Sequence, residues 1–130
     1  MTRFANVFVV VLSGIAAVGS SACGSSGGSG ASVSPAAQHE ADTIFSTRCA
    51  TCHGAQGGGD GPGSAGLNPK PRNFHEPAWQ GSVTDQHIST IIVSGGPAVG
   101  KSAAMPPNPD LQAKPEVVAG LVAHIRGLRQ

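Results

Sequence analysis

The sequence predicts a small all-α domain, three main helices joined by long loops, and three observations carry that prediction. Three stretches repeat apolar residues at helical spacing, and each opens on a helix-start residue. The segments between them are dense in Gly and Pro, which rules out both regular helix and central strand there. At 130 residues there is room for one domain at most, and the first thirty-odd positions differ in character from the rest.

Those first positions begin with Arg3, followed by a run over residues 4–18 that is apolar except for Asn6, Ser13 and Gly14, then "GSSAC" ending at Cys23. A positive start, an apolar middle and small residues before a cut define a secretory signal peptide, and the run is short for a membrane span, which needs about 18 residues. A cysteine directly after the small residues also resembles the bacterial lipoprotein pattern, with Ser20 standing where that pattern normally has leucine. The expected processing is removal of residues 1–22, lipidation of Cys23, export to the periplasmic side and tethering to a bacterial membrane. Residues 24–34, "GSSGGSGASVS", form a flexible linker with a reach of roughly 20 Å. The folded domain is expected over residues 36–130.

Ser34 before Pro35 reads as an N-cap and first helical position, and Ala37, Ala41, Ile44 and Phe45 then recur at helical spacing. That helix delivers "CATCH" at its C-terminal end. "GAQGGGDGPGSAGLNPKPRNF" follows as a loop long enough to be functional or to wrap something. Thr84 is placed to cap a second helix, with Asp85 in its first turn, Ile88, Ile91 and Ile92 on one face, and Gly95 as its stop. After the loop "GGPAVGKSAAMPPNPDLQAK", Pro115 and Glu116 open a last helix. Its Val117, Val118, Leu121, Ile125 and Leu128 line one face, with Arg126 and Arg129 near the end, where cations suit the dipole.

Charge excludes one class of partner. The chain carries 8 Lys+Arg against 7 Asp+Glu; without Arg3 the two signs balance, which is no footprint for nucleic acid. The core also looks undersupplied. Beyond the signal the aromatics are Phe45, Phe74 and Trp79, and tyrosine is absent, so something besides side chains is needed to fill a domain this small.

The chemistry is concentrated in Cys49, Cys52 and His53. Two cysteines three apart project their sulfurs to one side of a helical turn, and the next histidine lies on the same turn. CxxCH is the attachment signature of c-type haem: both thiols form thioethers with the porphyrin, and His53 is the expected proximal iron ligand. Three rivals are a redox dithiol, which needs an adjacent βαβ pattern, a zinc site, which needs a second ligand pair, and a plain disulfide between Cys49 and Cys52. Met105 is the one methionine after the signal, set in the proline-braced loop "SAAMPPNP" rather than on an apolar helix face. It is the expected second axial ligand. His/Met ligation raises the potential and leaves no open coordination position, an arrangement for moving electrons.

From Ala37 to the C-terminus the chain resembles a class I monohaem cytochrome c, on the strength of Ala41 and Phe45 upstream of CxxCH, Met105 followed by Pro106, and Leu121, His124, Ile125 and Leu128 on the last helix. The resemblance implies one covalent haem c and single-electron transfer between redox protein partners, without enzymatic catalysis. It also implies that the last helix crosses the first. His124 stands where the family commonly has an aromatic ring, which implies looser packing at that crossing or, less in keeping with the family, an alternative iron ligand. A loop carbonyl, often a proline's, holds the proximal histidine in the family; Pro62 and Pro69 are the candidates here. Trp79 either bonds a haem propionate, as the resemblance implies, or packs. His39, His75 and His87 are expected to be solvated.

"GGPAVGKS", residues 95–102, satisfies the phosphate-cradling G-x-x-x-x-G-K-S pattern. That mechanism needs a helix beginning at the lysine, and Pro106 and Pro107 follow too soon, so no nucleotide partner is expected. Two other functions remain open: a haem enzyme or ligand sensor, peroxidase-like or gas-binding, and a fixed electron-transfer subunit of a larger oxidoreductase.

Overall fold

The computed structural model describes residues 32–130; the signal peptide, Cys23 and all but the last positions of the linker lie outside the described residues. Helix α1 (Pro35–Ile44) starts as its sequence dictates: the Ser34 hydroxyl accepts from the Ala37 N–H at 3.3 Å, and Pro35 takes a position where no N–H is needed. The helix then continues through a π-helical stretch, Phe45–Cys49, into α2 (Ala50–His53). There the Ala50 N–H reaches back five residues to the Phe45 carbonyl. Just upstream the Thr43 carbonyl accepts from both the Ser46 and the Thr47 hydroxyls, at 2.9 and 2.7 Å, the side-chain competition that bends helices. One extra residue in the turn rotates everything after it by about 100°, so the π stretch sets where the CxxCH turn points.

A loop over residues 54–76 follows, stitched to that turn by Gly59 N–H to the His53 carbonyl (2.7 Å) and Gly61 N–H to the Cys52 carbonyl (3.1 Å). Next comes a short helix the periodicity did not announce, α3 (Pro77–Ser82), carrying Trp79 and the buried Gln80. Helix α4 (Asp85–Ser94) is capped by the Thr84 hydroxyl, which accepts from the His87 N–H at 3.1 Å, and it stops at Gly95. Helix α5 spans Pro115–Gly127. Among the described residues there is no strand, and no helix is long and apolar enough to cross a membrane.

The core joins Ala37, Ala41, Ile44 and Phe45 of α1 to Ile88 and Ile92 of α4 and to Val117, Val118, Leu121, Val122 and Ile125 of α5, with Phe74 and Leu111 from the loops. Ile91 and Leu128, expected on the inner faces, are only half-buried. α1 packs against α5 as the resemblance implies. At this crossing Ala41, fully buried, meets Gly120: a Cβ on Gly120 would lie 2.9 Å from the Ala41 Cβ, so any larger residue there would push the two helices apart.

The expected looseness at His124 is not found. Its ring packs on Phe45 with centroids 4.1 Å apart, and its Nδ1 meets Asp42 Oδ1 at 2.9 Å, so the imidazole does an aromatic's packing and ties the two helices together besides. Its Nε2 is buried without a partner. α3 is bound to α5 through Gln80, whose amide donates to the carbonyls of Phe74 (2.8 Å) and Ile125 (2.9 Å) while its oxygen accepts from Arg126. Arg126 also donates to the carbonyls of Gln80 and Val83 and to Asp85. It therefore braces α3 and α4 rather than simply complementing its own helix end.

Candidate functional site

The turn that ends the first helical segment places both cysteines and His53 together. Cys49 and Cys52 are half-buried and carry free thiols, so the disulfide reading is not realised. Cys49 packs against the core, and burial pushes its thiol pKa up; it rests as a thiol.

His53 is fixed on two sides. Its Nδ1 lies 3.1 Å from the Arg72 carbonyl, and its ring stacks on Phe74 with centroids 4.6 Å apart and planes 16° apart. Burial lowers the imidazole pKa, with the Arg72 carbonyl pulling the other way, so the neutral form is favoured. A carbonyl only accepts, which assigns the ring proton to Nδ1 and leaves the Nε2 lone pair available. Phe74 in turn touches Phe45 (6.4 Å) and Trp79 (5.5 Å), so the histidine is backed by a continuous aromatic wall.

The carbonyl partner corrects the sequence expectation: it belongs to Arg72, not to Pro62 or Pro69. Pro62 begins a short 3-10 turn, Pro62–Ser64, and Pro69 precedes the segment that reaches the histidine. Any residue offers a carbonyl, so side-chain identity carried no signal for this role. What marks Arg72 is its own anchoring, by Glu76 at 3.3 Å and over the Trp79 ring at 5.8 Å. Trp79 thus packs between Phe74 and a guanidinium. Of the histidines expected to be solvated, His39 is exposed, His87 is half-buried, and His75 places Nε2 2.6 Å from the Gln56 carbonyl, a loop-closing bond.

Met105 comes from a separate loop and is half-buried. Its N–H donates to the Ser102 carbonyl (3.2 Å) and its carbonyl accepts from the Gly96 N–H (3.0 Å), which holds the loop to the end of α4. The same region disposes of the phosphate-loop reading: Gly96–Val99 is a 3-10 turn, Gly100 is left-handed, and Lys101 and Ser102 open no helix. Among the described residues no three His, Cys, Asp or Glu side chains are grouped to hold a metal ion, which leaves the zinc reading without a ligand set. Two free thiols and an imidazole with a bare Nε2 on one turn do fit a covalently attached haem, with Cys49 and Cys52 as attachment points.

Comparison with known proteins agrees. The cytochrome c family model matches residues 38–129. A solved structure described as the KustC0563 c-type cytochrome is 30% identical with a TM-score of 0.50, the match covering 69% of this chain and 98% of that one. A chain of the Kuenenia stuttgartiensis reducing HAO-like protein complex Kustc0457/Kustc0458 is also 30% identical, with a TM-score of 0.51, over 69% of this chain but only 41% of that one. No curated protein matches. Covalent haem c and haem-based electron transfer follow from the family match, which covers nearly all of the folded part of the chain: the protein belongs to the cytochrome c family.

Proposed function

We propose that the protein is a single-electron carrier of the class I monohaem type, with His53 and Met105 as axial ligands, exported and tethered by a lipid on Cys23, relaying electrons between membrane-associated redox proteins. The observation that carries this reading is the His53 geometry. The ring is neutral and its proton is committed to the Arg72 carbonyl, so Nε2 is presented as a donor on the turn that also carries both thiols.

The haem, when bound, supplies the Fe(III)/Fe(II) couple. The chain's own residues do the rest. Cys49 and Cys52 give the attachment sulfurs, Phe74 and the Arg72 carbonyl hold the His53 plane, and the loop over residues 54–76 covers the turn. Met105, as the one thioether after the signal, would hold the haem iron together with His53 and keep exogenous ligands from it. With the signs of charge balanced beyond Arg3, long-range steering toward a partner is weak, and a tether compensates by raising local concentration at the membrane.

Visible spectroscopy of the haem-loaded protein tests the reading. A low-spin spectrum with a methionine-to-iron charge-transfer band is expected; ready binding of carbon monoxide to the ferrous form at neutral pH would overturn it in favour of a ligand-binding or enzymatic haem. A second reading, a fixed electron-transfer subunit, is favoured by the likeness to a chain of a multiprotein complex. Co-purification of a catalytic partner in stoichiometric amount would select it over the mobile carrier.

A further inference from the structure

The proline-rich segment around Met105 has few ways of being held. Pro106, Pro107 and Pro109 have no N–H, so Asn108 is the single residue of positions 106–109 able to donate from the backbone. It donates twice, and both bonds go to the same place. Its N–H reaches the Val93 carbonyl at 2.9 Å, and its side-chain Nδ2 reaches the Ile92 carbonyl at 2.8 Å.

Those two carbonyls lie in the last turn of α4, where a helix leaves acceptors without internal partners. One residue thus satisfies two of them, and its own carbonyl accepts from the Leu111 N–H at 3.0 Å. On the other side of Met105, the Gly96 N–H holds the Met105 carbonyl. Gly95 makes that approach feasible: its φ is +78°, and a Cβ there would lie 2.8 Å from the Pro107 nitrogen and 2.9 Å from the Met105 oxygen. The methionine loop therefore serves as the C-terminal cap of α4, clamped at Gly96 and at Asn108 with Met105 between.

We propose that Asn108 is the positioning residue for Met105, its side-chain amide locking the loop to the end of α4 so that the thioether is held at the second axial position. This rests on the reading of Met105 as the second axial ligand. Without the amide, the stretch from Pro106 to Pro109 keeps one bond to the helix, and the Ile92 carbonyl loses its donor.

The test compares the haem-loaded parent with Asn108→Ala and Asn108→Asp. The second variant keeps the volume and the backbone bond but sets a carboxylate against a carbonyl. Gly120→Ala, which perturbs the α1–α5 crossing instead, serves as a control for general destabilisation. Both Asn108 variants should bind carbon monoxide in the ferrous form about tenfold more readily than the parent, the equivalent of one hydrogen bond, with a weakened charge-transfer band. Gly120→Ala should keep the parent's band and resistance. If the parent shows the band and the Asn108 variants match it in both readouts, or if Gly120→Ala opens the iron as much as they do, the proposal is overturned and the Met105 reading stands. A parent without the band overturns both. Should the variants fail to fold, amide hydrogen exchange on the parent decides: the Gly96 and Asn108 amides should be protected together with the end of α4, and exchange at the rate of open loop overturns the proposal.

Discussion

Gly120→Ala sets two effects against each other, and the structure decides which wins. In a helix interior alanine is favoured over glycine by about 1 kcal/mol, so helix propensity alone predicts a more stable protein. The tertiary contact predicts the opposite. The added methyl would sit 2.9 Å from the Ala41 Cβ and 3.4 Å from both the Ala37 carbonyl oxygen and Gln38 Oε1. Ala41 is fully buried, and its Cβ cannot turn aside. Relief requires α1 and α5 to separate, and overpacking of this kind costs about 1–3 kcal/mol. The net expectation is a loss of about 1 kcal/mol, a fall in Tm of about 4–8 °C for a domain of this size. Chemical and thermal denaturation of the haem-loaded protein against the parent measures it. An unchanged or raised midpoint would refute the reasoning and show that the crossing has slack.

Gln80→Leu should cost about 1–3 kcal/mol in the same assay, because the buried carbonyl of Phe74 loses its donor and that of Ile125 keeps only the longer bond from the Leu128 N–H, at 3.3 Å; a loss under about 0.5 kcal/mol would contradict that role. Phe74→Ala should lose about 3–5 kcal/mol, since the ring is buried and backs His53, Phe45 and Trp79, and a near-neutral result would sink the aromatic wall. Asp42 has its carboxyl pKa held down, first by the hydrogen bond from His124 and then by that from Gln38. Its folded pKa thus lies below its unfolded one, so its contribution is complete above about pH 4, the unfolded value, and fades as pH falls through the folded pKa. The stability difference between the parent and Asp42→Asn should shrink on acidification below pH ~4, and a difference that stays constant down to pH ~2 would show the linkage to be wrong. Cys23→Ser should move the protein from the membrane to the soluble exported fraction; retention on the membrane would point to an uncleaved anchor or to a partner that holds it.

Much of the fold was legible because its signals are local. Ser34 and Thr84 each cap the helix that follows by bonding an N–H three residues on, and the face of α5 could be read from spacing alone. α3 was missed because six residues are too few to show a period, and its reason for existing is Gln80, whose partners Phe74 and Ile125 lie 6 and 45 residues away. The π-helical stretch was missed for a related reason. It depends on which donors win the Thr43 and Phe45 carbonyls, and apolar periodicity does not record that contest. His124 looked like a weakness at the crossing because the sequence showed only a polar substitute for an aromatic; packed on Phe45 and bonded to Asp42, it does both jobs.

By itself the sequence determined the all-α class, the positions of the three main helices and the CxxCH turn, since each is written within a few adjacent residues. Tertiary structure decided how those parts are held. It chose Arg72 rather than a proline to orient His53, set Phe74 behind the ring, and brought Asn108 to the end of α4. Each of these contacts joins residues some 15 to 21 apart along the chain, and most use backbone carbonyls, which every residue has. The order of side chains cannot reveal which carbonyl is reached, because only the folded path brings donor and acceptor together.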